Sequence, residues 1–115
     1  TKDKQLLTSY YIDSILNRLG FNLSSNGYIY YRDLILLSLE FNLDEIRLID
    51  LYALISKKYN KPISIIEKNI KNLFSRFNLS KFEQNFKKIF GLDFDYIYTS
   101  PKNFLIIFIS SFLNT

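Results

Sequence analysis

The chain has 115 residues, a formal charge of +4 and neither Cys nor His. A single domain with one hydrophobic core is expected, and the missing residues remove disulfides, thiolate chemistry, the commonest general base and the commonest zinc ligand. Enzymes, metal sites and cofactor-dependent catalysts become poor candidates, while 48% apolar residues with nine Tyr and eleven Phe mark a chain that folds.

Helical periodicity runs almost throughout. Leu6, Leu7, Tyr10, Ile12, Ile15 and Leu19 predict a first helix, ended by Gly20 in the left-handed conformation. "NLSSNGY" reads as a polar connection with an Asn-Gly turn. A second helix is expected from about Tyr30 to Phe41, with Leu34, Leu37 and Phe41 on its core face. "NLDEIRLIDLYALISKKYN" carries one or two more, with Asp44 and Glu45 suited to a helix start and Lys57 and Lys58 to a helix end. Pro62 opens the next helix, to about Phe77. "NLSKFEQNFKKIFG" predicts a further helix closed by Gly91, "LDFDYIYTS" a short extended loop or edge strand, and "PKNFLIIFISSFLN" a last helix from Pro101.

No apolar segment resembling a secretion signal opens the chain. The longest apolar stretch, Phe104 to Leu113, falls far short of the roughly 18 residues that cross a bilayer. No membrane partner is expected, and a cytoplasmic location fits. Met is absent even from position 1, which suggests a chain cut from something longer. The wealth of Ile, Asn, Lys, Phe and Tyr points to an AT-rich genome, which inflates Lys and weakens any argument from net charge alone.

Charge distribution says more than its total. Residues 51–88 hold nine Lys and Arg against Glu67 and Glu83, whereas the rest of the chain is slightly acidic. Such clustering fits a polyanionic partner. On a helical wheel at about 100° per residue, Ile66, Ile70, Leu73, Phe74 and Phe77 share one face. Ser64, Lys68, Lys71, Asn72 and Ser75 share the opposite one, with Glu67 at its flank. Ile65 projects outward beside Asn69 and Asn72, where an apolar side chain can meet a thymine methyl. Upstream, Leu51, Leu54 and Ile55 form a short helix. Ser56 is small at the expected helix crossing, Asn60 suits the turn, and Ile66 closes the angle. A helix-turn-helix over about 51–77 accounts for this spacing, although an ordinary helical corner with a solvated Lys face imitates it.

The segments "IDSILNRLG", "GYIYYRD", "LYALISKKYNKPISIIEKNIKN" and "IFG" occur in an order and spacing that resemble the C-terminal DNA-binding effector domain of the stage zero A sporulation response regulator of endospore-forming Firmicutes. The resemblance spans about Tyr11 to Asn114. It implies an all-α, compact six-helix domain and a transcriptional regulator whose recognition helix, about 62–77, enters the major groove of double-stranded DNA. Ser64 and Glu67 match the family in type. Lys68 and Lys71 stand where it carries Arg, and Asn72 where it carries His. Ile65 replaces a base-reading Arg, so the family's G-containing operator should not transfer, and A·T-rich DNA is the expected partner. Base-reading candidates are thus Ser64, Ile65, Glu67, Lys68, Lys71 and Asn72. Phosphate candidates are Lys57, Lys58 and Lys61 around the turn, with Ser75 and Arg76. A phosphorylated receiver domain precedes this domain in the family. A stand-alone plasmid or phage DNA-binding protein, or a helical protein-interaction module, fits the same residues.

Other features have simpler explanations. Asp44/Glu45 and Asp93/Asp95 lack the His or further acids that a metal or glycosidase site needs. Tyr28 and Tyr31 are expected to bury their rings and tie their hydroxyls at the domain edge. The last helix is expected in the core; as a contact instead, it would make a homodimer on DNA.

Overall fold

Asn, Gly and Pro divide a nearly continuous helical pattern into its pieces. The computed structural model describes residues 2–41 and 45–113, with side chains from residue 8 onward. Its helices are α1 (Lys2–Arg18), α2 (Asn26–Glu40), α3 (Leu48–Tyr59), α4 (Ile63–Ser75), α5 (Leu79–Phe90) and α6 (Pro101–Leu113), with a 3-10 turn at Tyr96–Thr99 before the last. The architecture is all-α, with no strand among the described residues. Gly20 and Gly91 close α1 and α5 at φ 91° and 71°, a conformation that a side chain disfavours.

Several boundaries differ from the sequence pattern for identifiable reasons. α2 begins four residues before Tyr30, because Ser25 caps it by accepting the Tyr28 N–H at 3.2 Å. Asn26-Gly27 is therefore the first turn of a helix and not a loop. A Cβ at Gly27 would lie 2.2 Å from the Asn69 carbonyl oxygen, so glycine is there to admit α4. Phe41 is the exposed C-cap of α2 and not a core residue. Asp44 lies outside the described residues. Glu45 sits in a turn, and α3 starts only at Leu48, where the Asp50 carboxylate accepts from the Arg47 backbone N–H at 3.3 Å. Leu54 faces solvent, while Leu51 and Ile55 are buried. Pro62 precedes α4 as its N-cap, with ψ 148°, and α4 ends at Ser75. Of the short extended loop or edge strand expected in "LDFDYIYTS", residues 92–95 are the loop and Tyr96–Thr99 form the 3-10 turn, where the Asp95 carboxylate accepts from the Ile97 N–H at 3.0 Å and so favours a turn over an extended ladder.

The core is aromatic. Phe104 of α6 lies at its centre, with the rings of Phe21, Phe74, Phe82 and Phe90 between 5.5 and 5.9 Å away. Phe77, just past the end of α4, stacks on Phe21 at 5.2 Å and still belongs to this cluster. Each buried Phe contributes about 1.5–3 kcal/mol by transfer from water. Leu105, Phe108 and Ile109 of α6 are also buried, so the last helix is mainly core; Ile106 and Leu113 remain exposed. Tyr28 and Tyr31 behave as read from the sequence. Their rings are buried, the Tyr28 hydroxyl donates to Asp13, and the Tyr31 hydroxyl donates to the Pro101 carbonyl at 2.8 Å.

Candidate nucleic-acid interface

α3 and α4 form the helix-turn-helix, and the turn between them is closed by short-range chemistry. Asn60 adopts φ 53° and ψ 48°, which Asn tolerates better than most residues. Ser56 secures the turn twice. Its carbonyl accepts the Lys61 N–H at 3.1 Å, and its hydroxyl donates to the Lys61 carbonyl. The Pro62 carbonyl then accepts from Ile65 and Ile66 at 3.0 and 3.2 Å, starting α4.

α4 is held from three sides. Ile66 and Ile70 are fully buried, and Phe74 meets Tyr31 of α2, Phe21 and Phe104 at 4.9, 5.0 and 5.8 Å. Gly27 lets α2 approach the Asn69 backbone closely. These contacts leave one face outward: Ser64, Ile65, Lys68, Lys71 and Ser75 are all exposed. Ile65 is 38% exposed while its neighbour Ile66 is 0%, so the isoleucines divide between two jobs as the wheel predicts.

Two candidates stand at the edges of this face. Glu67 is half-buried toward α3, where its charge adds to burial in pushing the Tyr52 hydroxyl above its ordinary pKa. Asn72 is half-buried on the other side, beside Asn22 and Arg76. Asn69, also half-buried, turns its amide back to the Ile65 carbonyl at 2.8 Å. The Ser75 hydroxyl donates to the Asn72 carbonyl at 3.1 Å.

The cations differ in availability. Lys57, Lys61, Lys68, Lys71 and Arg76 are exposed and form no ion pair among the described residues. Lys58 is different: its Nζ lies 3.1 Å from the buried Asp33 carboxylate, which also accepts from the Tyr59 hydroxyl. Burial, followed by the Asp33 bond, raises the Tyr59 hydroxyl well above its usual pKa. Lys58 therefore serves the α2–α3 junction, unlike the other cationic phosphate candidates, which form no ion pair among the described residues. Asp33 and Gly27 escaped the sequence reading. The signals were an acid inside the apolar run "YRDLILL" and a glycine that resembled a turn former.

A family model described as "Sporulation initiation factor Spo0A C terminal" matches residues 12–112. The chain belongs to this family. Its members are DNA-binding domains of sporulation regulators, so DNA binding in transcription regulation is the general role of the fold. No curated protein matches the chain. Within the Spo0A C-terminal fold, the outward face of α4 is exposed at Ser64, Ile65, Lys68, Lys71 and Ser75. Among the described residues, no helix is long and apolar enough to cross a membrane.

Proposed function

We propose that the chain binds double-stranded DNA sequence-specifically, with α4 in the major groove. The observation that carries this reading is the outward face of α4, where Lys68 and Lys71 stand unpaired among Ser64, Ile65 and Ser75 in a member of a DNA-binding family. Lysines without carboxylate partners are available to phosphates or to guanine acceptors. Ile65 presents only carbon, which suits a thymine methyl, and Asn72 carries an amide that can pair with adenine in two bonds. A·T-rich sequence follows as the preferred partner. Lys57 and Lys61 flank the turn where the strand would pass.

Selection from a random duplex library followed by gel shifts at two salt concentrations tests this. With ~5 phosphates neutralised, log affinity should fall against log salt with a slope near ~−4.5. Lys68→Ala/Lys71→Ala should weaken binding and flatten that slope by up to ~1.8. No retarded duplex at ~50 mM salt would overturn the proposal. Binding indifferent to the double substitution would remove α4 from it, and a selected G-rich core would remove the A·T preference.

A further inference from the structure

Beside the reading face runs a groove of about 150 Å³, lined by Asn22, Ser25, Gly27, Asn69, Asn72, Leu73 and Arg76. It separates the turn at residues 22–25 from the C-terminal half of α4. Arg76 is its one charged lining residue, and no carboxylate reaches it. We propose that this groove seats a backbone phosphate of the duplex strand flanking the base pairs under α4. The proposal rests on the duplex-binding reading above and adds a second, sequence-independent contact to it.

The hydrogen bonds leave the right groups free. The Asn22 side-chain oxygen accepts the Ser24 N–H at 3.0 Å, which spends the acceptor and leaves the amide N–H donors. The Asn72 backbone carbonyl accepts from Arg76 and Ser75, while its side-chain amide has no partner among the described residues. The Arg76 guanidinium has no ion-pair partner there either. The Asn22 amide and the Arg76 guanidinium thus line a groove without a counter-charge, which suits a phosphate oxygen and disfavours a cationic ligand, while the Asn72 amide at the groove's edge stays with the base pairs under α4. Ser25 already caps α2, so the site is one of side chains and not of a bare helix end. The turn is also stiff. The Ser25 hydroxyl donates to the Asn22 carbonyl at 2.9 Å, and the Asn78 N–H donates to the Gly20 carbonyl at 3.0 Å. That second bond brings exposed Lys81 close to Gly20, two residues before Asn22, and extends the basic rim past the groove.

The assignment is tested on a selected duplex carrying single neutral methylphosphonate linkages, scanned along both strands. For the unaltered protein, one flanking linkage should lower affinity about 10-fold. Arg76→Ala should weaken binding to every duplex alike, reduce the salt slope by ~0.9, and be insensitive to that same linkage. Its selected sequence and thermal midpoint should stay unchanged, and Arg76→Lys should restore the slope. If binding persists but no linkage couples to Arg76, the groove assignment fails while the α4 reading stands. If no duplex is bound at all, both fail together.

Discussion

α4 and α5 have nearly the same length and each carries lysines, yet the molecule treats them differently. α4 buries Ile66, Ile70, Leu73 and Phe74 against α2, α3 and α6, and its lysines stay unpaired on a rigid outward face. α5 buries Phe82 and Phe86 in the aromatic cluster, with half-buried Phe90 beside them, and Lys87 of its last turn pairs with Asp93 at 3.1 Å on the surface. Lysine content alone therefore does not set how a helix is held. The proposed reading helix differs from α5 in how firmly its backbone is held, since Lys81 and Lys88 of α5, like Lys68 and Lys71, form no ion pair among the described residues.

The comparison can be broken most forcefully at Phe82. Its ring is fully buried against Phe21, Phe77, Phe86, Phe94 and Phe104, so Phe82→Ala should cost about 3–5 kcal/mol in urea unfolding. A loss under ~1 kcal/mol would show that α5 is not structural in this way. Gly27→Ala should cost about 1–3 kcal/mol, because the new methyl meets the Asn69 backbone and must push α4 aside. DNA affinity should fall more than stability does, since the displaced element is the proposed reading helix. A variant with unaltered stability and affinity would disprove the close seating.

Alkaline titration gives a smaller, graded effect. Burial, with Asp13 and Asp33 nearby, raises the hydroxyl pKa of Tyr28 and Tyr59 in the folded protein, and burial does the same for Tyr31. Because the folded pKa exceeds the unfolded value, their contribution is complete below the unfolded pKa of about 10 and is lost as pH rises above it. Stability should be level from pH 7 to about 9 and decline beyond, with Tyr59→Phe making the decline shallower. A slope unchanged in that variant would count against the Asp33–Tyr59 contact. The smallest effect belongs to Lys87→Ala/Lys88→Ala, which should alter stability by less than about 0.5 kcal/mol and leave the DNA salt slope intact. A slope change equal to that of the Lys68/Lys71 pair would erase the distinction between the two helices.

Much of this was written locally. Helical spacing sorted Ile65 outward and Ile66 and Ile70 inward, Asn60 marked the left-handed turn, and Gly91 ended α5, because each depends on a few neighbouring residues. Other outcomes needed distant partners. Gly27 reads as a turn glycine until Asn69, forty-two positions later, comes within 2.2 Å of where its Cβ would be. Lys58 reads as a free cation until Asp33 appears beneath it. Asn22 and Arg76 share a groove only because α2 presses against α4. Sequence by itself determined the helices, their polar faces and the basic middle third, since periodicity and capping are short-range effects. Only the tertiary structure decided which cations stay free and which turn lies beside the outward face of α4, because those follow from long-range packing of an aromatic core.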